Sequence, residues 1–263
     1  MKIRILQWNI SFQCNPKKIA EYIARTVHGT TIVTLQEVSV TAYHEIVSAL
    51  NPSDKAYSLD LRKPGKYEGR NRAMGVATLT FGGTISHRKL VSRSIFPERT
   101  LFSKIQHKGR QIAILNFHSL TGVDYKKAKS SNFASIADFI SEHSDNLDFF
   151  TCDANEPKVD SLDDGKIVFW NRGDKGYNAS LIFGSQKIHP LNDAYKLYLL
   201  KNGIKRRTDP LATSHINRGT PRRYDFIYCA NTWDIQHIAY PYKESVNASS
   251  DHSMVIGDFS SNI

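Results

Sequence analysis

Polar residues stand where apolar, strand-like segments of the chain end. Asn9 follows Trp8, Glu37 follows Leu35-Gln36, His118 follows Asn116-Phe117, and Asp153 and Asn155 follow Phe150-Thr151-Cys152. Asp225 comes after Arg223-Tyr224, and Asp251-His252 precede the last apolar segment. If these ends share one edge of stacked sheets, their side chains converge in a single cleft. Carboxylates grouped with Asn and His suit a hard cation such as Mg²⁺ or Mn²⁺, which takes oxygen ligands. Carboxylates crowded together repel one another without a cation, so the cluster itself argues for a metal. Structural zinc is not indicated, because Cys14, Cys152 and Cys229 lie far apart and show no Cys/His ligand spacing. Any one of these residues alone is ordinary turn chemistry. Their joint occurrence is the signal.

The elements that must position them can be read from periodicity. Ile3 to Trp8 alternates as a strand, and Asn15-Pro16 supplies an N-cap and a first-turn proline. Ile19, Ile23 and Val27, with Ala20 and Ala24 beside them, form a helical face, followed by a buried strand from Thr30 to Leu35. Tyr43, Ile46, Val47 and Leu50 make a second helical face closed by Asn51-Pro52. Ser53 to Arg72 is charged and rich in Gly and Pro, and reads as a loop. Val76 to Phe81 is a strand. Leu101–Ile105 and Gln111–Phe117 flank a hairpin turn at His107-Lys108-Gly109-Arg110. Phe133, Ile136, Ala137 and Ile140 mark a further helix before the strand Leu147 to Cys152. Short strands are expected at Lys187–His189, Tyr224–Cys229, Thr232–Ile238 and Met254–Phe259. Antiparallel pairs mixed with helices fit two sheets packed face to face with helices outside them.

With 263 residues and no linker or repeat, one domain over 1–263 is expected. A 40% hydrophobic composition excludes disorder throughout. No apolar run approaches the ~18–20 residues of a membrane helix, and Met1-Lys2 leads straight into a strand rather than a signal peptide. A cytoplasmic monomer without disulfide-linked partners is the expectation, with the three cysteines serving in packing. The net charge of +10 favours polyanions as partners.

These motifs, in this order, resemble the endonuclease/exonuclease/phosphatase superfamily, which includes deoxyribonuclease I-like and exonuclease III-like enzymes, inositol polyphosphate phosphatases and neutral sphingomyelinases. The resemblance runs from Gln7-Trp8-Asn9 through Leu35-Gln36-Glu37-Val38, Asn116-Phe117-His118 and Asp153-Ala154-Asn155 to Ser250-Asp251-His252. Asn192-Asp193-Ala194-Tyr195 and Arg223-Tyr224-Asp225-Phe226-Ile227 match two further segments of the family. The resemblance implies a four-layered α/β sandwich with its active site at one end of the two sheets. It implies that Glu37 is the principal metal ligand, with Asn9 and Asp251 close to the ion. His252, paired with Asp225, would contact the phosphoryl group, and Asp153 and Asn155 would position or activate the attacking water. His118 stands where the deoxyribonuclease branch carries a catalytic His. Asn116 and Arg99 are implied as substrate contacts, and Arg72 belongs to a basic loop (Arg62, Lys63, Lys66, Arg70, Arg72) where the family places substrate-facing segments. The Gly usual before Asp-x-Asn is Cys152 here.

The leading expectation is a Mg²⁺- or Mn²⁺-dependent nuclease acting on DNA or RNA as an endonuclease. The basic runs Lys201–Arg207 and Arg218–Arg223 would bind backbone phosphates, and Tyr67 and Tyr224 could stack on unpaired bases. The alternatives are a phosphatase or phospholipase C-type hydrolase of inositol phosphates or lipids, and a non-enzymatic binding scaffold.

Overall fold

The structure, a computed structural model, describes residues 1–64, 73–171, 173–204 and 208–261, with the backbone alone for 123–126. In chain order the elements begin with β1 (Lys2–Asn9), α1 (Pro16–Thr26), β2 (Thr31–Ser39), α2 (Val40–Leu50), β3 (Asp54–Tyr57) and α3 (Ser58–Leu61). There follow β4 (Met74–Phe81), β5 (Thr84–Lys89), β6 (Thr100–His107), β7 (Arg110–His118), α4 (Gly122–His143) and β8 (Phe149–Asp153). The last part comprises α5 (Tyr177–Phe183), β9 (Asn192–Asp193), α6 (Ala194–Lys201), β10 (His215–Asn217) and β11 (Thr220–Arg222). It ends with β12 (Asp225–Cys229), β13 (Asp234–Ala239), α7 (Tyr242–Asn247) and β14 (Val255–Ser260).

Among the described residues the strands form two six-stranded mixed sheets, ordered β13-β14-β1-β2-β4-β3 and β5-β6-β7-β8-β12-β9, with β10-β11 as a separate hairpin. In each large sheet one parallel pair, β1 with β2 and β7 with β8, sits among antiparallel neighbours. The sheets meet over Ile3, Ile5, Ile32, Ile114, Phe149, Ile227, Val255 and Phe259, all essentially buried. Helices cover both outer faces: α1 and α2 over the first sheet through Ile19, Ile23 and Ile46, and α4 and α5 over the second through Phe133, Ile140 and Ile182. This is the α/β sandwich of two packed mixed sheets flanked by helices that the sequence pattern predicts. Burying an aliphatic or aromatic side chain contributes about 1.5–3 kcal/mol, and both sheets are lined by them on two faces.

Local chemistry sets the boundaries. Asn15 Oδ1 accepts from the Lys18 amide at 3.2 Å and Pro16 opens α1. Ser39 Oγ accepts from the Ala42 amide at the start of α2, and Asn51 ends it in the left-handed region. Lys108 and Gly109, with φ of 49° and 79°, make the two-residue turn between β6 and β7. Two sequence expectations differ from the structure. Ser53 to Arg72 is not loop throughout, because Asp54–Tyr57 pairs as an edge strand and Ser58–Leu61 is a helical turn. Such a short edge strand, with Asp54 half-buried, Lys55 exposed and Ala56 and Tyr57 both buried, carries no alternation to detect. Lys187–His189 is not a strand; His189 is buried against Phe150 and Tyr228 instead. Helices α5, α6 and α7 are too short to show a helical face in the sequence. No helix among the described residues is long and apolar enough to cross a membrane.

Candidate active site

Strand register brings the polar residues together. On the second sheet His118 lies opposite Asp153, and Asp153 lies opposite Asp225, so three neighbouring strands present their polar residues at one level. On the first sheet Asn9 lies opposite Gln36. β2 then bulges against β4, with Gln36 and Glu37 falling between the pairs Leu35–Ala77 and Val38–Gly75. Glu37 takes a φ of 56° there and Asn155 a φ of 50°. Such left-handed residues other than glycine cost of order 1–3 kcal/mol and gather at functional sites.

Asp225 and His252 form the central pair. His252 Nδ1 and Asp225 Oδ2 are 2.8 Å apart, both residues being buried, and Trp8 Nε1 donates to the His252 carbonyl at 2.9 Å. Burial works against charge on His252, but the carboxylates of Asp225 and Asp153 outweigh it and raise its pKa to about 10. The ring is therefore an imidazolium at neutral pH, held in one orientation. Behind it runs a chain of buried amides between the sheets. Gln7 Nε2 donates to Asp225 Oδ1 at 3.0 Å and to Gln36 Oε1 at 2.8 Å, and Gln36 Nε2 donates to Asn116 Oδ1 at 2.7 Å. Asn116 Nδ2 ends the chain on the Leu35 and Ala77 carbonyls.

In front of the pair lies an acidic cluster. Asn9 Nδ2 donates to Asp153 Oδ2 at 2.8 Å, while the Asn155 amide donates to Asp153 Oδ1 at 2.9 Å. His252 Nε2 stands 3.9 Å from Asp153 Oδ2, and His118 Nε2 stands 3.4 Å from that oxygen and 3.6 Å from Glu37 Oε1. Burial raises the Asp153 carboxyl to about 7, with His252 opposing and Asp225 adding to the rise. Burial, then the charges of Arg99, His252 and Lys129, hold His118 well below the ordinary imidazole range, so it is neutral.

Ligand atoms of Glu37, His118 and Asp153 lie within 4.8 Å of one another. The carboxylates of half-buried Glu37 and buried Asp153 are oxygen donors that a hard divalent cation fits, whereas Asn9 turns Nδ2 to Asp153 and accepts from the Ser11 amide through Oδ1 at 2.9 Å. A dication there would also return Asp153 to its carboxylate form.

The other sequence-predicted residues fall elsewhere. Asp251 is exposed and groups with His215 and His252, not with Glu37. Asn116 commits both atoms of its amide between the sheets. Arg99 is buried in a single turn (Pro97–Arg99), where its charge acts on His118. Arg72, Lys66, Arg70 and Tyr67 lie outside the described residues, as do Lys205, Arg206 and Arg207. The run Arg218–Arg223 divides: Arg218 and Arg222 line a groove, whereas Arg223 is buried between Asp160 and Asp193.

Two contributors escape a reading of the sequence. His215 stacks on His252 at 4.3 Å between ring centroids, and its Nδ1 lies 3.1 Å from the Asp251 carbonyl. Lys129 on α4 is buried, with Nζ 2.7 Å from the Asn155 carbonyl and 2.9 Å from Glu156 Oε1. For Lys129 the only hint is a cation within an otherwise amphipathic helix; for His215 there is none.

No family model matches the chain, and no curated protein matches it. Solved structures do. The human Nocturnin catalytic domain is 18% identical, with a TM-score of 0.67 over 99% of this chain and 95% of that one. A humanized D. rerio TDP2 is 13% identical, with a TM-score of 0.66 over 99% of both chains. An endonuclease/exonuclease/phosphatase from Bacteroides vulgatus is 15% identical, with a TM-score of 0.65 over the full length of both. The chain thus has the fold of the endonuclease/exonuclease/phosphatase superfamily.

Proposed function

We propose that this chain is a Mg²⁺- or Mn²⁺-dependent phosphodiesterase that cleaves nucleic-acid backbones as an endonuclease. The observation that carries the reading is the Asp225–His252 pair, 2.8 Å apart, set against Asp153, Asn155, His118 and Glu37 at one end of two packed sheets. Hydrolysis of a phosphodiester requires an in-line water, neutralisation of the non-bridging oxygens and a proton acceptor. The His252 imidazolium binds a non-bridging oxygen through Nε2–H, and Asp225, accepting from Nδ1–H, keeps the ring charged and oriented. Asp153, as a carboxylate, takes the proton of the attacking water, and the Asn155 amide beside it orients water and phosphate. Neutral His118 braces Asp153 and Glu37. Glu37 would hold the cation, with Asn9 close to it, and the cation when bound supplies Lewis-acid stabilisation of the phosphoryl charge. Asp251 belongs to the far wall of His252 in this reading, beside His215.

The substrate class is supported by the net charge of +10 and by the arginines next to the site. It is supported too by a neighbour of the same fold, a D. rerio TDP2 determined with single strand DNA product, 13% identical with a TM-score of 0.65 over 99% of both chains. The test is a substrate panel with Mg²⁺ or Mn²⁺: plasmid DNA, single-stranded DNA, RNA and inositol polyphosphates, each with and without EDTA. Metal-dependent cleavage of nucleic acid is expected. Phosphate release from inositol polyphosphates with nucleic acid left intact would overturn the nuclease reading.

A further inference from the structure

Beside the catalytic cluster runs a groove of about 500 Å³ lined by Asn155, Trp170, His215, Asn217, Arg218, Thr220, Arg222 and Tyr224, with Thr121 and Gly122 at the start of α4. That volume falls within the ~300–1,000 Å³ of small-ligand sites. Asn155 belongs to both the groove and the cluster, so whatever lies in the groove sits next to the reacting phosphate.

The lining is selective. None of these residues is acidic, although the adjoining cluster holds Glu37, Asp153 and Asp225. Two cations flank the half-buried indole of Trp170: Lys158 Nζ at 5.6 Å and the Arg222 guanidinium at 5.8 Å from the ring centroid. The hairpin of β10 and β11 forms the opposite wall, turning at Arg218 and Gly219 (φ of 49° and 80°) with Asn217 and Arg218 exposed. Tyr224 floors the groove, stacked with His215 at 5.9 Å, and His215 stacks in turn on His252.

The backbone that carries the indole is tied to the chemistry. The Trp170 amide donates to Glu156 Oε2 at 2.9 Å, and Glu156 pairs with Lys129, which holds the Asn155 carbonyl. An aromatic side chain lining a groove among cations and amides, on a backbone tied to a phosphate-facing asparagine, matches an unpaired base with its own phosphate. A base inside a duplex is stacked on its neighbours and cannot reach an indole lining a groove unless it is flipped out.

We infer that this groove seats the nucleotide flanking the scissile phosphate with its base unpaired on Trp170, so that the enzyme acts on single strands or frayed ends in preference to intact duplex. Trp170 is thereby a specificity-determining residue, with Arg218 and Arg222 taking the flanking phosphate. The inference rests on the nuclease reading above.

The experiment compares kcat/KM for a single-stranded trinucleotide and its three singly abasic versions, and for a longer single strand against its hairpin-capped duplex, in wild type, Trp170→Ala and Trp170→Phe. Thermal unfolding confirms that each variant is folded. Trp170→Ala is expected to lose about 5- to 150-fold on the intact trinucleotide, the range for one base–aromatic stack. Trp170→Phe should recover most of that loss. One abasic version should lose a similar factor in wild type and suffer no further loss in Trp170→Ala, the non-additivity of partners in contact. Trp170→Ala within twofold of wild type on the intact trinucleotide would overturn the inference. So would losses that multiply in every abasic version, or duplex cleaved as fast as single strand. A wild type that cleaves none of these nucleic acids overturns the nuclease reading itself, a result distinct from all of these.

Discussion

Replacing Arg223 by Met removes a guanidinium and keeps much of the side-chain volume. Arg223 has no exposed surface on its side chain, and it makes four charge-assisted hydrogen bonds. Nε and Nη2 reach Asp160 at 2.7 and 3.0 Å, and Nη1 and Nη2 reach Asp193 at 3.1 and 2.7 Å. The variant leaves two buried carboxylates without their counter-charge, and breaking a buried pair from one side costs about 3–5 kcal/mol. For a chain of this size each kcal/mol moves Tm by roughly 2–4 °C, so a fall of roughly 6–20 °C is expected. Burial works against the Asp193 carboxylate, but Arg223 holds its pKa below the ordinary value in the folded state. A carboxyl depressed by folding stabilises above its unfolded pKa of about 3.9, and that stabilisation disappears as pH falls through the folded value. In Arg223→Met the Asp193 carboxyl, still buried, favours protonation. The gap between variant and wild type is therefore widest at pH 7.5 and narrows towards pH 4. Equilibrium urea unfolding at the two pH values measures it. A loss below about 1 kcal/mol, or a gap independent of pH, would refute the electrostatic account of this clamp.

Other perturbations address the site. Asp225→Asn should lower kcat by about 10²–10⁴ with KM changed only a few-fold, because it removes the group that holds the His252 imidazolium; steady-state kinetics on single-stranded DNA checks this. Lys129→Met takes the ammonium from Glu156 and Asn155, and should cost about 3 kcal/mol in urea unfolding together with a fall in kcat. Mg²⁺ at a hundred times its Kd should stabilise the wild type by about 2.7 kcal/mol, and Glu37→Gln should abolish most of that gain in thermal unfolding.

Much of the site was legible because strands of fixed register end at one level. Asn9, His118, Asp153 and Asp225 interrupt apolar runs at the points where β1, β7 and β8 finish and β12 starts. The caps at Asn15-Pro16 and Asn51, and the Lys108-Gly109 turn, were legible for the same local reason. What escaped depends on contacts distant in sequence. Asn116 shares a sheet face with His118 but lies two residues deeper, so its amide is held between the sheets by Gln36 and the Leu35 and Ala77 carbonyls. Arg223 reads as one more surface cation until the fold supplies Asp160, 63 residues away. Trp170 lies in a segment without regular structure, and only tertiary packing sets its indole beside Lys158 and Arg222.

The central claim is that Glu37 holds a divalent cation at a site where Asp153 and the Asp225–His252 pair hydrolyse a nucleic-acid phosphodiester. The most direct measurement is the initial rate of single-stranded DNA and RNA cleavage as Mg²⁺ is titrated into the metal-free protein, in wild type and in folded Glu37→Gln. The account predicts a rate that rises from none and saturates in the wild type, with no comparable rise in Glu37→Gln. Equal rates with and without Mg²⁺, or wild-type saturation in Glu37→Gln, would contradict it.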